Sequence, residues 1–219
     1  MANVIIFGLQ DFAELAHYYL ENDSEHTVVG FTVNKKYLPS EKTYKGLPII
    51  AFEDLLTAYP PKDYQFFAPM APTGMNKFRE TIYNEAKEKG YTCISYISSK
   101  ATVLSNHIGD NCFILEDNTI QPFTEIGNNV VMWSGNHIGH HSKIEDHVMF
   151  TSQVVLSGHC LVEQYCFLGV NATIRDGVKL GQGTLVAMAT SITKNTDSWG
   201  VYVGNPSKKL ENKHSSTMM

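Results

Sequence analysis

The sequence predicts an α/β amino-terminal domain followed by an all-β prism of stacked coils, and two observations carry that prediction. From about Thr102 to Asp197 a branched or other apolar residue returns every six positions, so the chain reads as fifteen hexapeptides in one phase, from Ile108–Phe113 (IGDNCF) to Ile192–Asp197 (ITKNTD). Before that array, short apolar runs alternate with stretches of helical spacing, the pattern of a small parallel sheet.

The elements follow in order. VIIFG is a strand ending in a tight turn, and DFAELAHYYLEN has helical spacing with Asp11 near its start. TVVGFTV and GLPII read as strands, FEDLLTAY as a short helix, YQFFAPM as a strand and MNKFRETIYNEAKEKG as a helix stopped by glycine. Strands alternating with helices make residues 1–92 a Rossmann-type domain, and TCISYI leads into the prism at 93–210. Residues 211–219 have no periodic pattern and are expected to be a frayed tail.

A period of six over so long a stretch fits neither a helix nor an alternating strand. The first residue of each unit is large and apolar and the fifth is small or compact, so both point inward. Gly109, Gly127, Gly139, Gly169 and Gly181 hold the second position, where the chain is expected to turn and a side chain to be crowded. Three short strands per coil, stacked in parallel at roughly 4.8 Å, give five coils. Cys112, Cys160 and Cys166 fall at the fifth position, where buried free thiols are expected rather than disulfides.

Composition narrows the function. With 17 Lys and Arg against 22 Asp and Glu, a formal net charge of -5 argues against a general nucleic-acid or anionic-membrane surface. No run is long enough to span a membrane, and MANVIIFG lacks a basic lead, so cytoplasmic localisation is expected. The first βα turn, Gly8 to Ala13, has one glycine of the three in a dinucleotide fingerprint, which argues against a redox dinucleotide. Its backbone N–H groups can still meet a ligand phosphate, or Gly8 serves the turn alone.

The array resembles the left-handed parallel β-helix of the hexapeptide-repeat acyltransferases, and handedness comes from that resemblance. The combination with a Rossmann-like domain, from VIIFG to the closing VGNPSKKL, resembles the sialic-acid O-acetyltransferase-like branch that acylates nucleotide-linked amino sugars for surface polysaccharides such as lipopolysaccharide O-antigen. The resemblance implies a homotrimer, a coenzyme A thioester as acyl donor (acetyl or longer) and a UDP- or dTDP-linked dideoxy amino sugar as acceptor, with no metal. It places the nucleotide at Gly8, Leu9, Gln10 and Asp11 and at Asn34 and Lys35. Gln10 and Asn34 depart from the usual glycine and acidic residue, which leaves the nucleobase open.

Acyl transfer to an amine needs a proton acceptor, and histidine is the usual one near neutral pH. Five of the nine histidines lie between His137 and His159. The family's base is the first residue of a His-carboxylate pair about eighteen residues before Ser-Gly, which maps to His140 before Ser157 and Gly158. His141 stands where the carboxylate is usual, and an outward histidine of a prism can equally be a solvated surface group. His141 and His159, one coil apart, should stack about 5 Å from each other. Their pairing suggests the zinc site of γ-class carbonic anhydrases, but the histidine spacing does not match it. The resemblance puts coenzyme A along Gly158, Gly169, Ala187 and Ala189, with Lys194 and Lys208 near the adenine and 3′-phosphate; the lysines can also form a plain basic end. Met132, Trp133 and Met149 are expected near the site, which makes a longer acyl chain worth testing. The rival readings are sugar O-acetylation and a non-catalytic scaffold that binds a sugar nucleotide.

Overall fold

The computed structural model describes all 219 residues. In the amino-terminal domain β1 (Asn3–Phe7) is followed by α1 (Asp11–Asn22), β2 (Thr27–Val33), β3 (Thr43–Tyr44), β4 (Leu47–Ala51), α2 (Leu55–Ala58), β5 (Gln65–Phe67) and α3 (Lys77–Glu88). The sheet order is β3-β4-β2-β1-β5, parallel except at the β3 edge. Four consecutive residues of β1 are buried because both faces of the sheet are covered. Val4 and Ile6 point to α1, which buries Ala13, Ala16 and Leu20 at helical spacing, while Ile5 and Phe7 point to Phe52, Leu55, Ile82 and Ala86.

The prism has three parallel sheets of two-residue strands. Its first residues, from Ile114 to Ile192, form one continuous apolar column with Cys112, Val130, Val148 and the other apolar fifth-position side chains. Each large aliphatic buried there contributes about 1.5–3 kcal/mol. Several compact fifth-position side chains have a second reason for being small: they donate to a backbone carbonyl in the next coil. Thr124 Oγ1 donates to Gly139 O at 3.2 Å, Ser142 Oγ to Ser157 O at 3.2 Å and Cys166 Sγ to Gly181 O at 3.2 Å. All four cysteines, including Cys93, are free and buried, and burial pushes the Cys112 and Cys166 thiols up to about 12.

Three features differ from the sequence expectation. The corner is made at the fourth residue of the units through Ala189 as well as at the crowded second; Asn111, Asp117, Asn129, His141, His147 and Asn171 all have φ between 54° and 64°. The second position is crowded but not left-handed: a Cβ on Gly139 would lie 2.5 Å from Gly158 N. The prism also begins one coil before the regular repeat. Tyr96–Ile97 pairs with Phe113–Ile114, and Thr119 pairs with Thr102, seventeen residues back, where Glu125 pairs with His107, eighteen back. Five residues separate Val103 from Ile108, so the phase slips there and hides that coil. Finally, the tail is docked rather than frayed. Ser215 is fully buried, donating from N to Trp199 O at 3.0 Å and from Oγ to Gly183 O at 2.5 Å, and His214 stacks on Trp199. Gly183 leaves room for this, since a Cβ there would lie 2.3 Å from the Trp199 ring.

The outward sixth residues give each face its role. One face carries Phe113, Val131 and Met149, all buried in one cluster with residues of the amino-terminal domain, Phe113 edge-on to Tyr19 of α1 and Phe67 of β5. A second carries Glu125, Lys143 and Lys179 and is solvated. The third carries Thr119, His137, Val155, Thr173 and Ser191, with Val155 40% exposed. At the corner beneath α3, Arg79 is fully buried and donates to Asn129 O and Oδ1, Asn76 Oδ1, Met70 O, His147 O and Val148 O. This latch fixes the two parts of the chain to one another.

Candidate functional site

Two regions carry candidate chemistry, one in each part of the chain. The first is a cleft of about 620 Å³ at the carboxyl ends of β1 and β5. Strand order reverses there, because β1 connects to β2 on one side while β5 lies on the other, and open α/β sheets bind ligands at such a point. Gly8 to Ala13 form one wall, Val33 and Tyr37 the next, and Pro69, Met70, Ala71, Thr73 and Phe78 the opposite one. Gly8 is held at φ +115° by its N–H bond to Thr32 O at 2.8 Å, and a Cβ there would press on Ala13. Gln10 occupies the cap of α1 without a side-chain bond to the helix, so the first amides of α1 have no side-chain acceptor.

Gly8, Leu9, Gln10 and Asp11 therefore line this cleft. Asn34 and Lys35 do not: the Lys35 amide binds Glu53 and its ammonium turns to Asp54 at 3.8 Å. Tyr37 and Phe78 were not legible as cleft residues, nor was the Pro69–Ala71 segment. YQFFAPM reads as one strand to Met70, whereas β5 ends at Phe67 and the rest becomes the loop that forms the wall.

The second region is the corner that joins the Thr/Val face to the charged face. His140 occupies the third position of its unit and His141 the fourth, with His159 one coil on; all three are exposed. His141 and His159 stack at 4.9 Å and 15°, as their spacing predicts, and Phe123 covers the other side of His141 at 4.7 Å. His140 Nδ1 lies 3.0 Å from His141 Nδ1, so one imidazole donates and the other accepts. The backbone N–H of His140 is tied to Gln121 Oε1 at 2.9 Å. The ring lies against Gly158, where a Cβ would be 2.8 Å from Cε1 and 3.0 Å from Nε2. No carboxylate of the chain comes within ion-pair distance of His140, and Nε2 makes no hydrogen bond within the chain.

The other expected residues fall at separate places. Gly158 is beneath His140, whereas Gly169, Ala187 and Ala189 lie at the corner across the Thr/Val face, with Ala189 left-handed at φ 54°. Lys194 is exposed on the histidine corner, and Lys208 is exposed in the antiparallel hairpin that closes the prism. Met132, Trp133 and Met149 are not beside His140. Met132 is in the prism core, Met149 is buried against the amino-terminal domain, and Trp133 packs edge-on against Phe12 of α1 at 5.4 Å.

Residues 107–140 match the model of the bacterial transferase hexapeptide (six repeats), and residues 161–194 match that of the hexapeptide repeat of succinyl-transferase. The two matched stretches lie in the prism and identify its coils as hexapeptide repeats of the kind found in transferases. The fold of the chain is that of a variant of perosamine N-acetyltransferase from Caulobacter crescentus, solved with CoA and GDP-perosamine, at TM-score 0.82 and 18% identity over 97% of this chain and 98% of that one. The acetyltransferase domain of PglB from Neisseria gonorrhoeae superposes at TM-score 0.81 and 18% identity, covering 96% of this chain and 100% of that one. Among curated relatives, an acyl-[acyl-carrier-protein]--UDP-N-acetylglucosamine O-acyltransferase of Sinorhizobium fredii is 24% identical over 106 residues, 45% of this chain and 39% of its own length. The chain thus spans about two fifths of the length of that relative. No helix of this hexapeptide-repeat protein is long and apolar enough to cross a membrane.

Proposed function

We propose that this protein is an acyl-CoA-dependent N-acyltransferase that acylates the amino group of a nucleotide-linked amino sugar. The observation that carries the reading is the His140 ring, oriented through Nδ1 by His141 and seated on Gly158 with Nε2 unengaged within the chain. With Nδ1–H donating to His141, the Nε2 lone pair is available as a base. His141 then does the orienting work that a carboxylate does elsewhere.

In the reaction the amine nitrogen attacks the thioester carbonyl, Nε2 of His140 takes a proton from that nitrogen, and the C–S bond breaks. The thiolate leaves and is protonated, giving an amide and free coenzyme A. The switch-point cleft takes the nucleotide, with the diphosphate at the amides that follow Gly8. The similarity to a structure solved with CoA and GDP-perosamine supports this acceptor class and adds guanine to the bases to be tried.

The cleft adjoins the Trp133 corner through Phe12, and His140 lies one prism face away. A unit of six residues spans at most about 20 Å. A sugar leaving the cleft is therefore met by the His140 corner of a second copy, in a homotrimer packed through the Thr/Val faces; Gly169, Ala187 and Ala189 then flank coenzyme A opposite Gly158. The small and partly apolar side chains of that face support the packing.

The test is thiol release from acetyl-CoA with UDP-, dTDP- and GDP-linked 3-amino and 4-amino sugars, alongside His140→Ala. Release with one amino sugar, cut about 10²–10⁴-fold in the variant at unchanged Tm, is the expected result. Release with hydroxyl sugars instead moves the reading to O-acylation, and silence together with no coenzyme A binding by calorimetry overturns it.

A further inference from the structure

The three histidines at this corner form a cluster that base catalysis alone does not require. One ring nitrogen from each of His140, His141 and His159 lies within 4.8 Å of the others, and all three rings are exposed. The ring centroids are 5.2, 5.1 and 4.9 Å apart, with His140 edge-on to the other two. A tetrahedral zinc with nitrogen ligands at about 2.0–2.1 Å holds them roughly 3.3 Å from one another. The His140–His141 pair is already at 3.0 Å. His159 is exposed, and bringing its nitrogen to that spacing takes a turn of its ring out of the stack on His141.

We propose that His140, His141 and His159 of one chain bind a single divalent transition metal of the zinc type, with solvent completing the coordination, and that the metal inhibits acyl transfer. Three neutral imidazoles with no carboxylate suit zinc or cobalt(II) and not magnesium or calcium, which take oxygen ligands. A neutral imidazole has one lone pair, and when His140 turns it to the metal at Nδ1 its Nε2 carries the hydrogen, so the loaded corner cannot act as a base. The metal-free protein is then the active form, and free zinc sets the fraction that is active. The inhibitory half rests on the proposed role of His140; the binding half does not.

The test uses the purified full-length chain stripped with EDTA and dialysed. Cobalt(II) is titrated and read by its visible d–d bands, and zinc is then added to displace it. Wild type is expected to show one tetrahedral cobalt(II) per chain, with binding at least tenfold weaker in His159→Ala and unchanged in His107→Ala, an exposed histidine elsewhere on the prism. Acyl transfer by wild type should fall over the same zinc range and return with EDTA. His159→Ala, measured against its own zinc-free rate, should need at least tenfold more zinc for the same inhibition. Absence of stoichiometric binding, or binding that His159→Ala leaves intact, overturns the site. Stoichiometric binding without any acyl transfer keeps the metal site and removes the proposed function, while transfer indifferent to zinc in a metal-binding protein removes only the inhibitory role.

Discussion

His141 and His147 occupy the same repeat position, six residues apart, with the same left-handed backbone at φ 56° and 64°, yet they live in opposite surroundings. His141 is exposed beside His140 and His159. His147 is 6% exposed beneath α3. Its Nδ1 meets Asn129 at 2.9 Å, its Nε2 lies 3.5 Å from Glu80, and its ring stacks on Tyr165 at 5.5 Å. Tyr165 in turn donates to Glu80 and stacks on Trp199. One corner of the prism is a joint and the other an open bench, and the repeat does not say which. What separates them is whether the amino-terminal domain lies on top.

The largest effect is expected at the joint. Arg79 has no carboxylate within ion-pair distance, and burial holds its guanidinium down at about 9. Its hydrogen bonds to backbone carbonyls are what keep it there, and Arg79→Met leaves Met70 O, Asn129 O and His147 O without their donor, while Val148 O keeps the Val131 amide. The variant should lose about 3–5 kcal/mol in guanidinium denaturation; a loss below about 1 kcal/mol would mean that apolar packing of α1, and not this latch, joins the two parts.

At the open corner the expected effect is on rate rather than stability. A methyl on Gly158 meets the His140 ring at 2.8 Å, and because the ring is exposed it swings aside without disturbing the coil. Gly158→Ala should keep Tm and lower kcat by about 10²-fold, the cost of misplacing a reacting group by an ångström or so. An unchanged kcat would separate the ring position seen here from catalysis.

The smallest effect is the pH response of the joint. Burial holds the His147 imidazole below its ordinary range, with Glu80 and Asp146 opposing. The unfolded chain then binds more protons than the folded one, so stability is present above pH about 6.5 and is lost as pH falls below it. Tm measured from pH 7.5 to 5.5 should decline in wild type and decline less in His147→Gln. Equal slopes would show that another group drives the loss.

The sequence by itself determined the period, the two inward positions and the βαβ alternation, because a hexapeptide with a large apolar first residue has one economical way to bury it. It also set the stacking of His141 on His159, which follows from coil spacing alone. It could not show the coil that starts at Tyr96, since one missing residue between Val103 and Ile108 breaks the phase without breaking the hydrogen bonding. Nor could it tell that Lys35 turns to Asp54 while Tyr37 lines the cleft, or that Met149 faces the amino-terminal domain instead of His140. Those outcomes depend on which prism face the amino-terminal domain covers. Burial of outward Phe113, Val131 and Met149 decides that face, and such contacts between residues far apart in the chain exist only once the two parts have packed.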